Sequence, residues 1–236
     1  MFFLTCHFYC SPLLLKTFVN GCSISPLIFN LYINPMNFEE SKQLAEEGTA
    51  EAQYNLALMY SLGRETPKDD QAAIKWYRLA AEQGFAEAQT NLGLMYGKGQ
   101  GVEQNFSEAV KWYRLAAEQG LAQAQHNLGV MYGRGQGVAK DFLEAVWWFK
   151  QAAEQEYGQA QYNLGLMCSR GEGVPQDDKE AVKWYRLSAE NRISGAQSNL
   201  GLMYEKGMGV EQDFIEAHKW FNIAGVNGNP TGKKNA

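Results

Sequence analysis

Residues 86–121 read AEAQTNLGLMYGKGQGVEQNFSEAVKWYRLAAEQGL, and the same pattern occurs five times in the chain. Self-similarity at a fixed period of a few tens of residues is the signature of a repeat architecture. A tryptophan recurs in step with the pattern, so no insertion or deletion interrupts the array. The pair Asn-Leu marks the 36-residue period at Asn55-Leu56, Asn91-Leu92, Asn127-Leu128, Asn163-Leu164 and Asn199-Leu200.

Each unit predicts two helices. In residues 86–96 the apolar side chains are three and four residues apart, which is typical of an amphipathic helix. Small residues on this first helix, such as Gly93 and Gly129, should allow close packing. A second helix begins near Asn105, where a capping box is expected: the Asn105 side chain accepts from a free backbone N–H, and Glu108 reaches back.

The segment between the two helices is rich in glycine. Gly99-Gln100-Gly101-Val102 and its equivalents predict a structural turn, since glycine reaches positive φ without a Cβ penalty. A phosphate-binding loop is a much weaker interpretation, because no lysine and threonine follow in the P-loop pattern.

The second helix also carries a basic residue four positions before an acidic one. Such pairs are expected on a solvated face, each contributing only a few tenths of a kcal/mol. The candidate pairs are Arg78/Glu82, Arg114/Glu118, Lys150/Glu154 and Arg186/Glu190.

The pattern Ala-x-Ala-Gln-x-Asn-Leu-Gly-x-Met-Tyr, then Gly-x-Gly-Val, then Ala-Val-Lys-Trp-Tyr-x-x-Ala-Ala resembles the Sel-one-like repeat (SLR) family, a relative of tetratricopeptide repeats. The resemblance implies an all-α, right-handed α-solenoid of five 36-residue helix-turn-helix repeats. It also implies a concave groove that binds another protein, as in adaptors and scaffolds of bacterial signalling or host contact. Some units depart from the pattern, with Cys168 in place of tyrosine and Glu156 and Arg192 in place of the glycine between hairpins.

Residues 1–35 are an atypical apolar leader, in which Lys16 is the only Lys, Arg, Asp or Glu. A transmembrane helix needs about 20 mostly apolar residues, and polar residues and Pro26 interrupt the run after Lys16. A secretory signal starts with a basic region, whereas this lysine lies within the apolar stretch. The third hypothesis is that translation begins at Met36. The expected organisation is therefore a leader at 1–35, a half repeat at 36–49, five repeats at 50–229 and a flexible tail at 230–236.

Composition excludes some functions. The net charge of −5 and the pI of about 5.3 provide no positive field to gather phosphates, so nucleic acid is not expected as a partner. Cys168 is the single cysteine after residue 22, which suits a reducing compartment. We expect a cytoplasmic monomer without a stable membrane span, or a periplasmic or secreted protein if residues 1–35 act as a signal.

Partner contacts are expected where the units differ. By analogy with tetratricopeptide repeats, one variable position of the first helix faces the groove, and Tyr54, His126 and Tyr162 are its candidate contacts. An alternative is that these three side chains only pack between neighbouring hairpins. A basic position near the end of the first helix should form a ladder that suits an acidic partner segment, although solubility and the helix dipole explain it equally well. The ladder consists of Lys98, Arg134, Arg170 and Lys206.

Trp147 differs from the other units, which have lysine at the same position of the second helix. We expect it to be exposed, and an exposed tryptophan is a candidate binding hot spot. Casual burial beneath a neighbouring side chain is the alternative.

Catalysis is not expected, and neither a cofactor nor a metal is predicted. The histidines His7, His126 and His218 are far apart in sequence, and Cys168 has no evident base. A cysteine-rich branch of the resembled family is linked to penicillin binding and β-lactam hydrolysis, but this chain lacks its paired cysteines. A further alternative is an immunity or maturation partner of one toxin or enzyme.

Overall fold

The computed structural model describes residues 37–228. All regular elements of this part are α-helices, and each unit contributes an antiparallel pair. The hypotheses about residues 1–35, the start at Met36 and the tail at 230–236 lie outside the described residues. The helices are α1 (Phe38–Glu46), α2 (Ala50–Leu62), α3 (Asp70–Glu82), α4 (Ala86–Lys98), α5 (Phe106–Glu118), α6 (Ala122–Arg134), α7 (Phe142–Glu154), α8 (Gly158–Arg170), α9 (Asp178–Glu190), α10 (Ser194–Lys206) and α11 (Phe214–Val226).

The helices form two layers. Each even-numbered helix packs against the odd-numbered helix that follows it, and that helix packs against the first helix of the next hairpin; α1 packs on α2. We call α2, α4, α6, α8 and α10 the first-helix layer and the odd-numbered helices the second-helix layer. The predicted all-α solenoid of five hairpins is confirmed. At the centre of each unit is the leucine of the Asn-Leu pair, namely Leu56, Leu92, Leu128, Leu164 and Leu200, all fully buried.

The glycine-rich segment is a structural turn, as predicted. Gly99 ends α4 in the left-handed conformation with φ 68°, the usual role of glycine at a helix C-terminus. Gly137 lies so close to the preceding hairpin that a Cβ there would be 2.3 Å from the Phe106 carbonyl oxygen. This turn therefore packs against the hairpin before it.

The caps of the second helices are confirmed in part. The Asn105 side chain accepts from the backbone N–H of Glu108 at 3.1 Å. The reciprocal half of the capping box is wrong, because the Asn105 N–H donates to the carbonyl of Tyr96 at 2.9 Å. Since that donor is already satisfied, Glu108 pairs instead with Lys111.

The predicted ion pairs four residues apart on the second helices are absent from the described residues. The arginines bridge to the next hairpin instead: Arg78 donates to the Tyr96 hydroxyl at 2.7 Å, and Arg114 donates to the Tyr132 hydroxyl at 2.7 Å. At the junction of the third and fourth hairpins the equivalent positions hold Lys150 and Cys168, so this junction lacks the bond.

A buried glutamine on each first helix connects three helices. Gln125 Nε2 donates to the Ala117 carbonyl of the preceding hairpin at 3.2 Å. Its Oε1 accepts from Gln155 Nε2 at the end of α7 at 2.9 Å. Buried amides need such partners, and the same arrangement recurs at Gln53, Gln89, Gln161 and Gln197.

Glu156 and Arg192 keep the backbone conformation of the glycines that they replace, each with φ 61°. A left-handed conformation costs a residue with a Cβ about 1 kcal/mol. We therefore expect Glu156→Gly to raise the free energy of unfolding by about 1 kcal/mol in urea denaturation. Gly120→Ala is the matched control, because Gly120 has φ 90° and a Cβ there would contact nothing within 4 Å. Gly120→Ala introduces the strain that Glu156→Gly removes, so the two substitutions should change the free energy of unfolding in opposite directions. A change in the same direction would contradict this explanation.

Candidate functional site

The side of the first-helix layer that faces away from the second helices is the candidate groove. The leucine of the Asn-Leu pair on each first helix is buried against the partner helix, as is the methionine three residues later on α4, α6, α8 and α10. The exposed side carries the asparagine of the Asn-Leu pair, an aliphatic residue three positions later and, near the helix end, the basic position. The half-buried aliphatic residues are Leu58, Leu94, Val130, Leu166 and Leu202.

Three cavities follow one another along this groove, each lined by two successive first helices. The first, of about 260 Å³, lies between Leu58 and Leu94. The second, of about 380 Å³, has Val130 on its floor and Lys98 and Arg134 at its edge. The third, of about 350 Å³, brings together four of the predicted contacts, namely His126, Arg134, Tyr162 and Arg170.

His126 is held firmly in the wall of the third cavity. Asn163 Nδ2 donates to His126 Nε2 at 3.0 Å, and His126 Nδ1 lies 3.3 Å from Asn127 Oδ1. The ring packs against Phe149 and Tyr157, with centroid distances of 5.7 and 5.3 Å. Burial, and secondarily the charge of Arg134, lower the pKa of His126, which favours the neutral ring at pH 7.

The basic ladder is exposed and unpaired. Ion pairs in the described residues involve Lys68, Lys111, Lys183 and Lys219, whereas the four ladder residues have no carboxylate partner there. Lys98 and Arg134 line the second cavity, and Arg134 and Arg170 flank the third. Lys206 extends the ladder at the end of α10 and lines none of these cavities.

The variable position of Tyr54, His126 and Tyr162 is mainly a packing position between hairpins. Tyr54 contacts Phe85 and Tyr77, with ring centroids 5.1 and 5.8 Å away. Thr90, at the same position, is only 1% exposed. Tyr162 occupies space left by a glycine of the next hairpin, since a Cβ on Gly195 would be 3.1 Å from Tyr162 Cζ. His126 and Tyr162 nevertheless line the third cavity, while Tyr54 lines none of the three cavities.

Trp147 is exposed, as predicted, with 51% of its surface accessible. It lies on α7, in the second-helix layer, and therefore does not share a surface with the other candidate contacts. His218 is exposed on α11, because no further hairpin covers it in the described part of the chain.

Sequence reasoning missed the asparagines Asn127 and Asn163 as groove residues. In the sequence these asparagines indicate only the period of the repeat. The signal for their position in the groove was that every unit retains this polar residue beside a buried leucine.

The stacked hairpins and the open groove define an α-solenoid repeat protein. The Sel1 repeat model matches almost the whole described chain, at residues 50–85, 86–121, 122–157, 158–192 and 194–229. The chain belongs to the Sel1 repeat family, whose members generally mediate protein–protein interaction.

Solved structures agree with this assignment. A Sel1 repeat protein from Oxalobacter formigenes is 37% identical, with a TM-score of 0.81 over 87% of this chain and 83% of that one. The c5321 protein, a protective antigen of uropathogenic Escherichia coli with an SLR fold, is 43% identical with a TM-score of 0.80. The match covers 84% of this chain but only 42% of c5321, so the chain spans less than half the length of that relative.

More distant structures show the fold alone. The immunity protein Pa5087 of Pseudomonas aeruginosa is 21% identical, with a TM-score of 0.52 over 78% of this chain and 67% of that one. Among curated proteins, none is significantly similar to the chain. No helix within residues 37–228 is long and apolar enough to cross a membrane.

Proposed function

We propose that this protein is an interaction scaffold that binds an extended acidic segment of a partner protein in the groove of α4, α6 and α8. The observation that carries the proposal is the unpaired basic ladder above cavities with an aliphatic floor. Unpaired cations near a partly desolvated surface attract carboxylates more strongly than cations already neutralised by a neighbour.

The arginine side of the third cavity suits a carboxylate, whereas Glu172, which also lines this cavity, does not. Arg134 and Arg170 supply guanidinium donors at its edge, and the Asn163 amide lies in its wall. Arginine binds carboxylates through two parallel N–H groups, which adds geometric selectivity. The apolar floor of Val130 and Leu166 would contact the aliphatic part of the same segment.

The spacing of the ladder suggests a register for the partner. Helices packed side by side are about 10 Å apart, and a segment in the polyproline II conformation rises about 3.1 Å per residue and places every third side chain on the same side. An acidic residue at about every third position would therefore place one carboxylate at each basic ladder residue.

We expect the double variant Arg134→Glu/Arg170→Glu to weaken binding of such a segment about tenfold, since two favourable charge contacts become repulsive. The probe is a fluorescein-labelled 12-residue peptide with glutamate at every third position, measured by fluorescence anisotropy. Affinity should also fall as salt rises.

The matched control is Lys111→Glu/Lys183→Glu, which makes the same change of net charge on the second-helix layer. Both lysines are exposed. The control should keep the affinity within about twofold. Equal losses in both double variants would mean that only net charge is sensed, and no loss in the groove variant would remove the groove from the proposal.

The Sel1 fold is generally a non-catalytic interaction scaffold, and we propose the same for this chain. A monomer in a reducing compartment is consistent with Cys168, the single cysteine of residues 37–228, which is buried and free. A role as an immunity partner would use the same groove, but the relatives with that name share too little sequence to favour it over a general scaffold.

A further inference from the structure

The outer face of α7 differs from the outer faces of the other second helices. Leu143 is 71% exposed and Trp147, one turn later, is 51% exposed. At the position of Trp147 the neighbouring units have lysine, and at the position of Leu143 the other units have Gln71, Ser107, Lys179 and Ile215. Within the five units, the combination of an exposed aliphatic and an exposed tryptophan one turn apart occurs on α7 alone.

The same substitution leaves a carboxylate unpaired. In three other hairpins the equivalent glutamate pairs with the lysine three residues later, as in Glu180–Lys183 at 3.3 Å and Glu216–Lys219 at 2.9 Å. On α7 that lysine is Trp147, and Glu144 has no ion-pair partner in the described residues. Lys150 is six residues further along, about 9 Å down the helix axis.

Trp147 is also oriented before any partner arrives. Its ring packs edge-on against Trp148, with centroids 4.3 Å apart and planes at 86°. Trp148 is itself buried in the core. A side chain that is already ordered loses less conformational entropy on binding, which favours it as an anchor.

We infer that Leu143, Glu144 and Trp147 form a second docking surface, which binds an amphipathic helix presenting aliphatic side chains beside a lysine or arginine. The aliphatic residues of the partner would cover Leu143 and Trp147, and its cation would pair with Glu144. Because this surface lies in the second-helix layer, it is separate from the groove, and the two sites would allow the protein to hold two partners at once.

The test uses two fluorescein-labelled 18-residue helical peptides, both with a leucine face, one with lysines and the other with glutamates on the polar face. We expect the leucine–lysine peptide to bind the wild-type protein at least about tenfold more tightly than its glutamate counterpart. Trp147→Ala should weaken that binding about tenfold, as for a hot-spot aromatic. Glu144→Gln should weaken it about threefold.

Two variants control for general hydrophobicity and charge. Ile215→Ala removes another apolar side chain, 82% exposed, from the second-helix layer. Glu118→Gln removes the same charge as Glu144→Gln elsewhere in that layer. Both should bind like the wild type, as should the groove variant Arg134→Glu/Arg170→Glu, so that this surface is judged independently of the proposed groove.

Three results would overturn the inference. The first is undiminished peptide binding by Trp147→Ala. The second is an equal loss in Ile215→Ala or Glu118→Gln, which indicates unspecific adsorption. The third is wild-type self-association in sedimentation velocity that Trp147→Ala abolishes, because the occupant would then be a second copy of the chain.

Discussion

The Gly129→Leu variant is expected to lose about 3 kcal/mol of unfolding free energy, at the upper end of the cost of overpacking a core. A Cβ at Gly129 would already lie 2.8 Å from Phe149 Cδ1 and Cε1 and 3.2 Å from the Ala145 carbonyl oxygen. The equivalent position of the first unit holds Ala57, which is fully buried. One methyl group is therefore accommodated in this fold, but a leucine would force α6 and α7 apart.

Urea denaturation followed by far-ultraviolet circular dichroism measures this loss. Gly133→Ala is the matched control on the same helix, because its Cβ would lie 3.7 Å from the Ala145 Cβ, an ordinary contact. That control should keep or raise stability by up to about 1 kcal/mol, since alanine favours helix over glycine. Similar losses for the two variants would show that the close approach at Gly129 does not limit packing.

The Gln125→Ala variant should lose about 2 kcal/mol of unfolding free energy. Gln125 is only 5% exposed. Its removal takes one hydrogen bond from the Ala117 carbonyl, which still accepts from the Gly120 N–H, and one from the Gln155 amide, which still donates to the Gly120 carbonyl. Each lost hydrogen bond costs about 0.5–1.5 kcal/mol. Because the side chain connects two successive hairpins, the loss should reduce the coupling between them as well as the stability of one unit.

A double-mutant cycle with Gln155→Ala measures the coupling between these two side chains, which join α6 to α7 within the hairpin. Gln155 also donates to the Gly120 carbonyl at 2.9 Å, so its own substitution should be costly and not additive with Gln125→Ala. Gln123→Ala is the control, since Gln123 is exposed two residues earlier on the same helix. If Gln125→Ala costs no more than Gln123→Ala, the buried amide does not join the hairpins.

Residues of the candidate site could be predicted where the side chain is exposed and its position depends only on its own helix. Arg134 and Arg170 follow from their position near the end of a first helix, and the exposure of Trp147 follows from the lysines at the same position in other units. The surroundings of His126 were not predictable, because Asn163 and Tyr157 reach it from the next hairpin. The sequence shows the asparagines of the groove, but there they indicate only the repeat period and not a position in the groove.

The amino-acid sequence by itself determined the number of hairpins, the starts of their second helices, the turn glycines and the apolar stripe of the first helices. These features depend on local propensity and on a period that every unit repeats. A feature recognised in one unit can therefore be assigned to the same position in the others. Only the tertiary structure decided which helices these side chains connect. Arg114 bonds to Tyr132 of the next hairpin instead of Glu118, and within one hairpin the Asn105 N–H bonds to Tyr96 instead of Glu108, and Gln125 to Gln155. Those bonds depend on how closely and at what angle the two helices of a hairpin, and successive hairpins, pack. The arrangement of the helices in two layers also separates Trp147, which lies on a second helix, from the basic ladder, which lies on the first helices.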